Sequence, residues 1–417
     1  MIRSIEALNF RCLRYVRQPL GRFHVLVGPN ASGKTTFLDV VGFLSRLVAD
    51  GLDAAVNERT QNFQDLLWGR KGDSFELAIE AAIPAERQAR LARKEFDTIR
   101  YEVCIGLLET GEFGILEERA LLKTFKPEPP IDHLEFPVEP MAPRTILAVK
   151  SQNAHRTVLS KGRKGNDNFY SEVVEESGKG WYPSIRLGPH KSALANLHED
   201  ETRFPVSAWL KQMLSGGVQN FVLNSLLIRK PSPPGPVRGF KPDGSNLPWV
   251  VSELAKHPAR FQEWVSHLQT ALPDLENIAA VERPEDKHRY LVLCYAGGLQ
   301  VPSWMASDGT LRLLALTLPA YLPEFKGVYL IEEPENGIHP CAAETVFQSL
   351  SSAYDAQILL ASHSPVILSL ADADKVLCFK KTPSGATNII LGNEHPALRD
   401  WKGETSLGTL FAGGVLG

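Results

Sequence analysis

The 417-residue chain reads as an α/β protein: a parallel sheet carries a phosphate-binding loop, a mixed β layer lies beside it, and a helical insertion separates the two halves. Three observations point there. GPNASGKT at 28–35 has the spacing G-x-x-x-x-G-K-[ST] between an apolar, strand-like run and a helix-like run. Segments 74–83 and 101–108 alternate apolar and polar residues as half-buried strands do. Between about 141 and 282, helical apolar spacing appears among loop-rich stretches, so the chain divides into 1–140, 141–282 and 283–417.

From the N-terminus, 2–10 mixes Ile2, Ile5, Leu8 and Phe10 with Arg3, Glu6 and Asn9, which suits an edge strand beside the phosphate-loop strand. FHVLV at 23–27 is β-branched and aromatic, as in a buried strand. In 36–47, Phe37, Val40, Val41, Leu44 and Leu47 recur with a helical period. Residues 50–72 are polar and irregular. The strands 74–83 and 101–108 continue into a hairpin at 111–122. The polar, basic 150–166 and the proline- and glycine-rich 231–242 are expected as surface loops or linkers. Helices are expected at 206–214 and 261–272, the latter with Trp264, Val265, Leu268 and Leu272 on one face. RYLVLCY at 289–295 returns to strand, and helix and strand alternate beyond it.

Strand, glycine loop and helix in this order present loop amides and a helix N-terminus to a polyphosphate, with no side chain at Gly28 or Gly33 to block the approach. Asn30, Ala31, Ser32, Gly33, Lys34, Thr35 and Thr36 are the nucleotide-binding candidates, with Lys34 reaching the β/γ-phosphates and Thr35 ligating Mg²⁺. VYLIEE at 328–333 is an apolar strand ending in two carboxylates, at the edge of an open sheet where such groups serve a site. Glu332 is assigned to Mg²⁺ and Glu333 to the base that orients attacking water, against the plainer reading of a solvated strand end. QILLA at 357–361 runs into SHSP; His363 either senses the γ-phosphate and polarises water or is a structural hydrogen-bonding group. Its distance from the acidic strand fits one βαβ crossover. ASDGT at 306–310 opens the apolar helix 311–318. Ser307 and Gly309 there are an ordinary N-cap or an anion-binding helix start that closes on a nucleotide held by another subunit.

Composition narrows the classes. Hydrophobic residues at 43% and charged residues at 22% are globular values, and the chain is long enough for two or three domains of about 100–200 residues. A net charge of −3 argues against coating nucleic acid through bulk charge, though a local basic patch stays possible. Five scattered cysteines without a C-x-x-C or C-x-x-H pair favour a reducing compartment and no zinc site. The N-terminus lacks the apolar core of a signal peptide, and no run approaches the roughly 18 apolar residues of a membrane span, so a soluble cytoplasmic protein is expected.

Together these motifs resemble the ABC-type ATPases of the SMC, RecF and OLD group, in particular stand-alone bacterial AAA ATPases with an SDGT-like signature. NFR at 9–11 looks like the opening strand of that group, GPNASGKT like its Walker A, ASDGT like its signature, LIEEPENGIHP like its Walker B and D-loop, and ASHSP like its His switch. DGSNL at 243–247 resembles a segment these ATPases carry ahead of the signature. The resemblance implies an ABC-type ATPase fold, ATP and Mg²⁺ as cofactors, hydrolysis of ATP to ADP and phosphate, and a head-to-tail homodimer on ATP binding. In such a dimer Ser307 and Gly309 complete the partner's site. Arg11 contacts the nucleotide, as the basic residue of relatives does, or is a solvated strand-end charge. Two departures stand out: Glu332 occupies a position where many relatives have aspartate, and the Q-loop glutamine has only Gln61 and Gln64 as candidates. The stretch after His363 is too short for a Toprim nuclease domain; Asp372 and Asp374 read as a turn. No heptad pattern for a coiled-coil arm is sustained.

Two functions compete. The first is a nucleotide-driven switch for a separately encoded effector, a nuclease, in anti-phage defence or DNA repair. The alternative is a RecF-like repair ATPase acting directly on DNA through the basic stretches 156–164 and 229–241, which otherwise are solvated loop charges.

Overall fold

The computed structural model describes residues 1–127, 134–148, 155–174, 184–198, 200–235, 239–323, 325–398 and 405–416. Three sheets organise these residues; the first is seven-stranded, antiparallel throughout, in the order β2 (Leu13–Pro19), β1 (Ile2–Phe10), β4 (Ser74–Ala82), β5 (Thr98–Leu107), β6 (Phe113–Lys123), β7 (His155–Lys161) and β8 (Asn168–Phe169). The second has the order β16 (Thr387–Leu391), β15 (Val376–Lys381), β3 (Phe23–Val27), β14 (Ala356–Ala361), β13 (Gly327–Glu332), β9 (Val218–Phe221), parallel except for the edge strand β16. A small antiparallel sheet joins β10 (Leu275–Glu282), β11 (Arg289–Tyr295) and β12 (Leu299–Pro302).

The helix Lys34–Asp50 lies between the two large sheets. Its apolar spacing leaves Phe37, Val40, Val41, Phe43, Leu44 and Leu47 without solvent exposure. Phe43 meets Phe10 and Phe75 of the antiparallel sheet edge to face, at 5.9 and 5.6 Å, and Phe37 meets Phe379 of β15 at 5.6 Å. Burial of each such ring contributes about 1.5–3 kcal/mol, so this helix and the loop before it are rigidly seated. On the parallel sheet Leu26, Leu330 and Leu359 face this core, whereas Val25, Val27, Ile331, Ile358 and Leu360 face a second core under the helices Asp308–Thr317 and Pro340–Ser351. Burial on both faces explains why these strands read as continuous apolar runs. The buried Gln357 side chain ties the sheets together, bonding Ile2 N and O at 2.8 and 2.7 Å and Gly21 O at 2.7 Å.

Several expectations need correction. Residues 2–10 are neither an edge strand nor part of the phosphate-loop sheet. Leu13–Pro19 folds back to cover their outer side and β4 pairs with the other. The stretch 150–166, expected as a loop, contains β7, which pairs with β6; 149–154 lie outside the described residues. In 231–242 Ser232 bridges to Arg289, and 236–238 lie outside the described residues. The middle stretch, expected to be largely helical, contains the helices Pro205–Gly216, Leu247–Leu254 and Pro258–Gln269 but also sends strands to all three sheets. Asp372 and Asp374, by contrast, sit as expected in a short turn before β15.

Candidate functional site

Register brings the separate motifs to one place. In the parallel sheet Glu332 at the end of β13 pairs with Ala361 at the end of β14, and Ala361 pairs with Leu26 near the end of β3. The strand carrying His363 therefore lies between the phosphate loop and the acidic pair. Around these ends is a cavity of about 520 Å³ lined by Asn30, Ala31, Ser32, Gly33, Lys34, Thr35, Thr36, Glu332, Glu333, His363 and Arg11.

Within it, Lys34 is nearly buried, and its Nζ donates to Gly28 O at 2.8 Å and Pro29 O at 3.0 Å. Burial pulls its ammonium down to about 8, against the upward pull of Glu333 and Glu332. The Thr35 hydroxyl donates to Glu332 Oε2. Ser32 Oγ is buried without a hydrogen-bond partner, the mark of a loop that leaves a polar group for a ligand. Glu333 has φ 47, unusual for a residue with a side chain; its N–H donates to Ala361 O at 2.8 Å and Asn336 Nδ2 donates to its carboxylate. Burial, and then the Lys34 charge, lower the His363 pKa against Glu333 and Glu335, which favours the neutral imidazole at pH 7.

Glu335, which sequence reasoning missed, positions the His363 loop: one carboxylate oxygen accepts from Ser362 Oγ and from the His363 N–H, both at 2.8 Å. Its only signal is an acidic residue in the turn after the strand. Arg11 lines the cavity with Nη1 3.1 Å from Asp39, which Arg59 also holds, so it is a paired wall residue. Gln61 and Gln64 are exposed and do not line the cavity; Asp65, Leu67, Gly69 and Arg70 do.

Ser307 and Gly309 are not brought to this cavity. Exposed Ser307 caps the helix Asp308–Thr317, its Oγ accepting from Thr310 N at 3.1 Å. Gly309 lies so close to the turn after Glu333 that an added Cβ would stand 2.7 Å from Gly337 O. Among the described residues no cluster of three or more His, Cys, Asp or Glu side chains is arranged to hold a metal. Thr35 and Glu332 suit Mg²⁺, which takes few protein ligands and completes its shell with water and phosphate oxygens. No helix among the described residues is long and apolar enough to cross a membrane.

A family model described as "AAA domain, putative AbiEii toxin, Type IV TA system" matches residues 23–134 and 222–369. No curated protein matches the chain. Among solved structures it is similar to an SMC head bound to the C-winged helix domain of ScpA, with 12% identity, a TM-score of 0.54, and 93% of this chain and 97% of that one covered. It is also similar to an SMC head domain with an extended coiled coil, bound to the C-terminal domain of ScpA derived from Pyrococcus furiosus, at 13% identity and a TM-score of 0.50, covering 93% and 95%. With well over half of its residues matched, the chain belongs to this AAA-domain family, on the ABC-type ATPase fold of the SMC heads.

Proposed function

We infer that the chain binds and hydrolyses ATP at composite sites of a head-to-tail homodimer, and that this cycle switches a separately encoded effector, a nuclease, in anti-phage defence or DNA repair in the cytoplasm. The observation that carries the reading is the split of the motifs. Lys34, Thr35, Glu332, Glu333 and His363 line one cavity, whereas Ser307 is exposed outside it at a helix start. A two-fold dimer sets the phosphate loop of one copy against Ser307 and Gly309 of the other, so each site is incomplete alone.

In this reading Lys34 exchanges the Gly28 and Pro29 carbonyls for the β/γ-phosphates. Mg²⁺ bound by Thr35 and Glu332 would offset the charge of those phosphates. Glu333 orients the attacking water and takes its proton. The water oxygen bonds to the γ-phosphorus as the bond to the bridging oxygen breaks, leaving ADP and phosphate. Neutral His363 donates a hydrogen bond to the γ-phosphate.

The effector reading draws on the SMC heads seen with ScpA domains. Direct action on DNA needs outward-facing basic residues. Of the described basic residues in 156–164 and 229–241, Arg163, Lys164, Lys230 and Lys241 are exposed, whereas Arg156 donates to Ser171 O and Val174 O, Lys161 is buried against Asp167, and Arg229 pairs with Asp308, so only part of each stretch is available to DNA. Light scattering of Glu333→Gln tests the assembly: ATP should convert monomer to dimer, and an unchanged monomer at saturating ATP would sink the composite site. Salt-dependent DNA binding by the purified chain alone would favour the RecF-like alternative.

A further inference from the structure

One wall of the phosphate cavity belongs to none of the motifs. Asp65, Leu67, Gly69 and Arg70 form it, carried on the short turns Phe63–Leu66 and Trp68–Arg70. Gly69 and Arg70 are consecutive residues in the left-handed region, at φ 59 and 55. Glycine adopts that conformation freely; arginine does so at a cost, and such strain collects at ligand sites.

The Arg70 guanidinium is 74% exposed, and its Nη2 lies 3.0 Å from Asp65 Oδ1. That oxygen is buried yet has no hydrogen-bond partner, so the ion pair holds without the alignment that makes such pairs strong. Asp65 itself is anchored through its other oxygen, which accepts from Thr60 Oγ1 at 2.8 Å. The other cations lining the cavity are held differently: Arg11 by an Asp39 that Arg59 shares, and Lys34 by loop carbonyls. Arg70 alone, among the described lining residues, is solvent-exposed on a carboxylate that makes it no aligned bond.

We propose that Arg70 is a polyphosphate-binding residue of this site, held in the nucleotide-free protein by Asp65 as a stand-in anion and transferred to the nucleotide on binding. The proposal rests on the ATP-site reading. A guanidinium binds carboxylate and phosphate through the same planar fork, and a phosphate that can meet it squarely displaces a misaligned carboxylate. The exchange makes Asp65 a competitor of the ligand. It also places a cationic contact on the segment where neither Gln61 nor Gln64 reaches the cavity.

Calorimetric titration of ATP into wild type, Arg70→Gly, Asp65→Asn and Lys34→Ala tests it. Glycine suits the left-handed backbone at position 70, so Arg70→Gly should unfold no earlier than wild type while binding ATP about tenfold more weakly and with a shallower salt dependence. Asp65→Asn keeps an acceptor for Thr60 and removes the competing charge, so it should bind ATP more tightly. Wild-type affinity in Arg70→Gly, with binding lost in Lys34→Ala, would overturn the role of Arg70 and leave the ATP site standing. Weakening by Asp65→Asn as large as that by Arg70→Gly would overturn the exchange. Wild-type protein that binds no ATP would end the site reading itself and this proposal with it.

Discussion

Replacing Gly33 by alanine asks what the glycine is for. If it only clears a path for phosphate, the variant should lose nucleotide binding and fold normally without it. The tertiary structure gives another answer: an added Cβ would stand 2.2 Å from Thr387 Oγ1 and 3.1 Å from Cys12 Sγ, on a backbone at φ 107. Thr387 has no solvent exposure and its hydroxyl donates to Ser32 O at 2.8 Å, so it cannot turn aside without losing that bond. Left-handed strain and overpacking each cost about 1–3 kcal/mol, so Gly33→Ala should destabilise the nucleotide-free protein by about 2–6 kcal/mol. Thr387→Ala removes the obstructing Oγ1 and the Cγ2 atom at 3.0 Å, and alone costs about 1–2 kcal/mol for the lost hydrogen bond. The double variant should therefore be less destabilised than the sum of the singles by about 1–3 kcal/mol. Denaturant unfolding without nucleotide reads all three. A wild-type midpoint for Gly33→Ala, or strict additivity in the double variant, would refute the argument.

Glu333→Gln should retain ATP binding and release phosphate at least about a hundredfold more slowly, since general-base contributions run from 10² upward; turnover at the wild-type rate would remove Glu333 from the base role. For Lys34 the bound polyphosphate raises a pKa that burial holds at about 8 in the free protein. The charge-dependent part of ATP affinity is then full below pH 8 and falls by up to about tenfold per unit as pH rises above it, whereas Lys34→Arg should show no such fall. A flat wild-type profile from pH 7 to beyond 9 would contradict this. Ser307→Arg should bind ATP without hydrolysing it. Mixed with Lys34→Ala, it should regain activity through one composite site built from the intact loop of one copy and the intact signature of the other. No recovery at concentrations that give heterodimers would count against the assembly, provided one site fires alone.

Much of the site is legible in the chain. The phosphate loop, the acidic strand end and the ASHSP turn are contiguous runs whose chemistry depends on local order, and all three reach the cavity. Glu335, Asp39, Asp65 and Arg70 are not legible in this way. Each is an ordinary charged residue in a turn or helix, and its role lies in what stands opposite. The strand β2 is missed because its alternating LRYVRQP is short and follows a two-residue turn, at which Arg11 takes a left-handed φ of 51. The strand β7 is missed because its basic, polar residues resemble a solvated loop, while Lys161 in fact buries its charge against Asp167 and Gly188 O.

Local sequence determines that Lys34–Asp50 is a helix seated behind a glycine loop, that 328–332 is a buried strand, and that Ser307 caps a helix. Period, capping chemistry and β-branching act over a few residues and need no partner. Sheet order and register belong to the tertiary structure. Thr35 meets Glu332 across 297 positions of sequence because β14 inserts between β3 and β13 with their ends aligned. Thr387 backs Gly33 because β15 carries β16 to the far side of the loop. Such contacts are settled by which faces bury together and which backbone groups find partners, a choice made by the whole chain that no window of it contains.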